Sequence, residues 1–201
     1  RSSIFGGVEN DLLYGGADND LLYGGADQDR LYGDAGNDTL FGGDAADQMF
    51  GGLGNDSLEA GDGDDIVNGD AGDDTINFGA GSDTVYGGDG NDLIDDVPSI
   101  ELSGLNLIYG GTGNDTIWSG NDADTIYGDA GNDVLNGEAG NDSLFGGAND
   151  DLLNGGTGND ILTGGTGTDT IFAGDDRDEI RVTYNGTAND ALGSEFVDGG
   201  S

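Results

Sequence analysis

The sequence predicts an all-β repeat fold, a solenoid of short strands separated by glycine turns, and three observations predict it. A nine-residue pattern recurs along almost the whole chain. Its sixth position is Asp in 18 of 19 units, and its eighth is aliphatic or Met in every one. Alternation along a strand sends the eighth side chain inward and turns the seventh and ninth toward solvent.

Aligned on G-G-x-G-x-D-x-U-x, with U aliphatic, residues 6–95 make ten uninterrupted units, from GGVENDLLY (6–14) to GGDGNDLID (87–95). Ser3-Ile4-Phe5 reads as the strand of a preceding unit, so residues 1–95 form a first block. Asp96-Val97-Pro98-Ser99-Ile100 then break the register, and Pro98, which cannot donate to a ladder, belongs in a loop or at a strand edge. Nine more units fill a second block, 101–181. Its first unit, ELSGLNLIY (101–109), is degenerate, with Asn106 in place of Asp and no glycine at positions one and two. Any ligand rows along the turns are therefore expected to be interrupted there, over a continuous or slightly offset aliphatic core. Residues 182–201 hold a second break, Val182 to Asn189, and a further degenerate unit, DALGSEFVD (190–198), with Glu195 where Asp belongs. The array is expected to continue beyond both ends.

Charge decides what such a chain can be. Asp and Glu number 42 and Gly 44, against Arg1, Arg30, Arg177 and Arg181 and no Lys, for a formal charge of −38 on a chain 33% hydrophobic. Such a polymer repels itself and stays disordered unless cations bind many of its carboxylates. The same charge disfavours nucleic acid and anionic lipid as partners. No apolar run approaches the ~18 residues of a membrane span, so no membrane insertion is expected. Without His or Cys, disulfides, soft-metal sites and histidine-based triads are excluded. Nearly every carboxylate already occupies a repeat position, so the chain reads as no enzyme, with no catalytic residue.

The glycines and aspartates suit one chemistry. Tight turns need residues at φ > 0, and position four is Gly or one of the types that tolerate a left-handed backbone, such as Asp18, Asp27, Asp122, Asn149 and Asp176. Glu9 and Ala45 fit poorly there, so their turns are expected to be the least regular. Turn carbonyls followed by a carboxylate offer only oxygen, which suits Ca²⁺, a hard cation with six to eight oxygen ligands at ~2.3–2.6 Å. The position-six ligands are Asp11, Asp20, Asp29, Asp38, Asp47, Asp56, Asp65, Asp74, Asp83, Asp92, Asp115, Asp124, Asp133, Asp142, Asp151, Asp160, Asp169 and Asp178.

On these residues the chain resembles the RTX, or repeat-in-toxin, family of calcium-binding nonapeptide repeats, across about nine-tenths of its length. The resemblance implies a right-handed parallel β-roll: positions one to six form a turn, seven to nine a short strand, and two units one 18-residue coil. It also implies that each ion lies between turns 18 residues apart. One turn gives carbonyls from positions two and four plus its Asp, and the next gives carbonyls from positions one and three plus its Asp. In the first block the carbonyl donors are Gly7, Glu9, Gly16, Asp18, Gly24, Gly25, Ala26, Asp27, Gly33, Asp34, Ala35, Gly36, Gly42, Gly43, Asp44 and Ala45. They continue as Gly51, Gly52, Leu53, Gly54, Ala60, Gly61, Asp62, Gly63, Gly69, Asp70, Ala71, Gly72, Phe78, Ala80, Gly87 and Asp89. In the second block they are Gly111, Gly113, Gly120, Asp122, Gly128, Asp129, Ala130, Gly131, Gly137, Glu138, Ala139 and Gly140, then Gly146, Gly147, Ala148, Asn149, Gly155, Gly156, Thr157, Gly158, Gly164, Thr166, Ala173 and Asp175. The pairing gives about 14 Ca²⁺ ions, or about +28 against −38, which couples folding to metal.

Position nine is rich in aromatics: Tyr14, Tyr23, Tyr32, Phe41, Phe50, Tyr86, Tyr109, Trp118, Tyr127, Phe145 and Phe172. Tyr14, Tyr32 and Phe50 are expected to stack at the inter-strand spacing of ~4.8 Å. Two readings stand: a ladder that stiffens the sheet, or a face that docks a neighbouring domain, a glycan or a surface. The resemblance further implies a secreted, extracellular or cell-surface module of a larger bacterial polypeptide. Its partners would be the type I secretion machinery and neighbouring domains of the same chain. An adhesion or carbohydrate-binding module is the alternative.

Overall fold

The computed structural model describes residues 1–96 and 104–181, together with the backbone of 196–199. What is expected of Pro98, of residues 182–189 and of Glu195 lies outside the described residues. Strands of the first half are β1 (Ser3–Gly7), β2 (Leu12–Ala17), β3 (Leu21–Gly25), β4 (Arg30–Ala35), β5 (Thr39–Asp44), β6 (Gln48–Leu53), β7 (Ser57–Asp62), β8 (Ile66–Ala71), β9 (Thr75–Asn77), β10 (Thr84–Asp89) and β11 (Leu93–Asp95). Those of the second half are β12 (Leu107–Thr112), β13 (Thr116–Trp118), β14 (Thr125–Ala130), β15 (Val134–Asn136), β16 (Ser143–Ala148), β17 (Leu152–Thr157), β18 (Ile161–Thr166), β19 (Thr170–Asp175), β20 (Glu179–Arg181) and β21 (Phe196–Gly199).

Odd-numbered strands form one sheet and even-numbered strands the other, each strand pairing in parallel with the strand two places on. One coil is therefore two repeat units. Leu22 pairs with Leu40 and Leu31 with Met49, an offset of 18 residues. Across the break Val85 pairs with Ile108 and Ile94 with Ile117, so the extra five residues leave both sheets in register. Ser3-Ile4-Phe5 is the strand of a preceding unit, as expected, with Ile4 opposite Leu22. At the far end Val197 takes the register of position eight opposite Ile171.

Position eight supplies two facing columns of Leu, Ile, Val and Met, nearly all fully buried from Leu13 to Ile171. That much follows from the alternation. Position one was not expected to contribute, yet Ala60, Phe78, Ser119 and Ala173 are also fully buried. The strands are also longer than three residues. Most run on through positions one to three of the next unit, because the chain stays extended past position nine and sends position one inward. Apart from β20, which reaches the last described residue of its stretch, only β9, β11, β13 and β15, on either side of the break, stop after three residues. All four lead into the same edge of the roll; after β9, β11 and β13 the residues Phe78, Asp96 and Ser119 replace the usual inward glycine, whereas β15 leads into Gly137.

Rings at position nine stack as flat columns. Tyr14, Tyr32 and Phe50 lie 5.0 and 4.9 Å apart, centroid to centroid. Phe5, Tyr23 and Phe41 form a second column. The third, Tyr86, Tyr109, Tyr127 and Phe145, crosses the break at 5.1, 5.0 and 4.8 Å.

Candidate metal centre

Turns alternate between two edges of the roll. The first edge carries Asp11, Asp29, Asp47, Asp65, Asp83, Asn106, Asp124, Asp142, Asp160 and Asp178 in one file. The second carries Asp20, Asp38, Asp56, Asp74, Asp92, Asp115, Asp133, Asp151 and Asp169 in another. Each file is stitched by one repeated bond: the Asp main-chain N–H donates to Oδ1 of the Asp one coil later. The distance is 2.6 Å from Asp20 to Asp38, 2.7 Å from Asp38 to Asp56 and 2.7 Å from Asp56 to Asp74.

Glycine at position one makes room for the carboxylate. A Cβ on Gly33 would fall 2.6 Å from Asp38 Oδ2. Position four must adopt φ > 0 and lies against the carbonyl one coil earlier, so a Cβ on Gly36 would strike the carbonyl of Asp18. Contrary to expectation, the turns at Glu9 and Ala45 are regular, with φ of 76° and 77° beside 77° for Asp18. The Glu9 N–H donates to Asp27 Oδ2 at 3.2 Å, and Asp44 beside Ala45 pairs with Asp62, so the adjoining coil holds each turn at its positive φ.

The second carboxylate oxygen has no such bond. Oδ2 is buried without a hydrogen-bond partner at every position-six aspartate from Asp11 through Asp160. A buried ionised oxygen left unpaired is costly, and here neighbouring coils repeat the same charge. Burial first, then the carboxylates one coil away, push Asp47, Asp74, Asp83, Asp142 and Asp151 up to about 7, against the lowering effect of the main-chain N–H bond. Asp124 is pushed up to about 8.

These residues fit Ca²⁺. Every donor facing the turns is an oxygen, the orphaned atoms are carboxylates, and carbonyls of adjacent coils run parallel to them. Position-three carbonyls spend one lone pair on the fold, since Gly36 N–H bonds Leu53 O at 2.8 Å and Gly54 N–H bonds Ala71 O at 2.8 Å. The second lone pair stays available. The expected carbonyl donors all lie in the two lines of turns. Asp178, in the last coil, is only half-buried and its Oδ2 is not among the orphaned atoms.

The interruption expected at the break concerns the metal rows; the aspartate ladder itself continues on one edge. The second file is not interrupted at the break, because Asp92 N–H donates to Asp115 Oδ1 at 2.8 Å, as in any other coil. Gly111 and Gly113 lie over the carbonyls of Gly88 and Gly90 in the usual way. In the sequence the insertion lies between position nine of one unit and position one of the next, after Asp95, and the described residues of the second edge keep their ladder. Gly88, Gly90, Gly110 and Thr112 thus stand in the same stations as the expected carbonyl donors, and the sequence reading left them out. Their spacing of 23 residues hid them.

The family described as RTX calcium-binding nonapeptide repeat matches the chain in overlapping segments over residues 5–95 and 102–180. No curated protein sequence matches it. Among solved structures, a hyperactive, Ca²⁺-dependent, β-helical antifreeze protein from an Antarctic bacterium is similar, with a TM-score of 0.56 and 24% identity. The likeness covers 86% of this chain and 63% of that one, and it speaks to the fold alone. With its nonapeptides matched along both blocks, the chain belongs to the RTX calcium-binding nonapeptide repeat family.

Proposed function

We propose that this chain is a calcium-triggered folding module of a larger extracellular protein exported through type I secretion, non-catalytic in itself. One observation carries the reading: two files of buried aspartates, each leaving Oδ2 without a partner. The position-six aspartates and the turn carbonyls named above are the proposed ligands. With the turns of Asp92 and Asp115 added, the number of ions rises by one to about 15. At low intracellular Ca²⁺ the carboxylates repel and the chain stays open for export. Extracellular modules commonly bind Ca²⁺ with affinities of ~10⁻⁴–10⁻³ M, which suits a switch thrown on leaving the cell.

Circular dichroism and light scattering test this directly. With chelator an unordered spectrum is expected, and with millimolar Ca²⁺ a β spectrum and marked compaction. Mg²⁺ is expected to fail, since it demands a smaller octahedral shell and dehydrates reluctantly. A compact β fold in chelator at neutral pH would sink the proposal.

The ring columns favour a second reading, a face for a glycan, a surface or a neighbouring domain, because Phe5 and Tyr14 are 68% and 54% exposed. Binding to immobilised glycans that disappears in Tyr14→Ser with Tyr32→Ser, the calcium response being kept, would support it. Loss of the calcium response without any glycan binding in the parent chain would leave the columns as ladders.

A further inference from the structure

On the first edge, Asn106 breaks the file of charges. Its Oδ1 accepts the Asp83 N–H at 3.0 Å, as an aspartate would. Its other side-chain atom is Nδ2, which donates to the Ser119 carbonyl at 3.4 Å, where other rungs have an orphaned oxygen. Asp124, the next rung, keeps its buried Oδ2 without a partner. An ion between these turns would thus be one carboxylate short.

Asp96, the first residue of the break, stands nearby. It is 7% exposed, and its charge acts on both Asp83 and Asp124. Its placement is specific. In ordinary coils of this edge, a Cβ built on the position-two glycine (Gly43, Gly61, Gly79) would strike the position-two carbonyl oxygen one coil earlier. On Gly120 the first atom struck is Asp96 Oδ2. A carboxylate oxygen occupies the station that a main-chain carbonyl holds elsewhere. Gly104 still lies over the Gly81 carbonyl, so position four of this turn keeps its usual place.

We propose that Asp96 supplies the carboxylate that Asn106 lacks, so that a Ca²⁺ site persists at the break, held by Asp96, Asp124 and the carbonyls of Gly104, Ser119 and Asn121. Two carboxylates then face the ion, as in every other rung. This rests on the calcium reading of the files.

The test compares the parent chain with Asp96→Asn, Asp96→Glu and the neighbouring control Asp95→Asn, using native mass spectrometry for the ion count and circular dichroism for the Ca²⁺ midpoint. Asp96→Asn is expected to bind one ion fewer and to fold at higher Ca²⁺, while Asp95→Asn and Asp96→Glu keep the parental count. The sign of the midpoint shift separates a ligand from a bystander. Removing an idle buried charge beside two carboxylates would lower the midpoint. An unchanged ion count with an equal or lower midpoint in Asp96→Asn overturns the site. So does failure of both Asn and Glu at position 96 to fold, which would point to packing. Should the parent chain itself bind no Ca²⁺, the wider reading fails instead.

Discussion

Each position-six aspartate divides its two oxygens between two tasks. From Asp20 to Asp160, Oδ1 accepts the main-chain N–H of the preceding coil, and Oδ2, buried without a hydrogen-bond partner, is the proposed ligand. An interior residue such as Asp74 faces ions on both sides in the proposed arrangement, whereas Asp178 is the last of its file among the described residues. Asp74→Ala is therefore expected to reduce the cooperativity of calcium-induced folding more than Asp178→Ala. Equal Hill slopes in the two titrations would count against pairing turns 18 residues apart. Backbone strain gives a second test. Ala45 is held at φ 77°, a left-handed conformation that costs an L-residue ~1–2 kcal/mol, so Ala45→Gly is expected to lower the Ca²⁺ midpoint. Gly54→Ala is expected to raise it, since its Cβ would strike the Gly36 carbonyl. The aspartates were legible in the sequence because one residue type recurs at one phase. Asp96 and the burial of Phe78 were not: Asp96 stands outside the phase, and Phe78 stands in it where glycine is usual, so each acquires meaning only through the neighbour that the coil brings beside it.

Strands show where pattern reading falls short and why. Three residues per strand follow from the alternation around position eight, but glycine at position one carries no side chain to betray that it too points inward. The six-residue strands and the buried Phe78 come from that silent position. The insertion is similar: its length is plain in the sequence, while the unbroken pairing of Asp92 with Asp115 beside it is seen only once the strands are in register. The aromatic columns were legible, since residues 18 apart on parallel strands must lie side by side. Tyr32 touches a ring on each side, at 5.0 and 4.9 Å, so Tyr32→Ala is expected to cost about 1 kcal/mol in the calcium-loaded state. Chemical denaturation at saturating Ca²⁺ reads this, and no loss of stability would show that the rings stack without supporting the sheet.

At the scale of the whole molecule, the charge of −38 meets a core only two columns wide. Carboxylates whose folded values lie raised to about 6 to 8 stabilise the metal-free fold only while protonated. That contribution is complete below the unfolded value of ~3.9 and is lost as pH rises through the folded values. In chelator the chain is thus expected to gain β structure near pH 4 and lose it on approach to neutrality, as circular dichroism would show. At neutral pH the unfolded carboxylates are already ionised, so calcium-coupled folding is expected to release few protons there and many near about pH 4 to 5, a difference measurable in buffers of different ionisation enthalpy. The parallel pairing of each strand with only the strands two places away has a mechanical consequence. A chain pulled from its ends has no long-range crosslink to hold it, so it yields one coil at a time, each lengthening the tether by roughly 60 Å. Because every coil parts with its own ions as it opens, the force at which the tether gives way would be set by the calcium in the surrounding fluid.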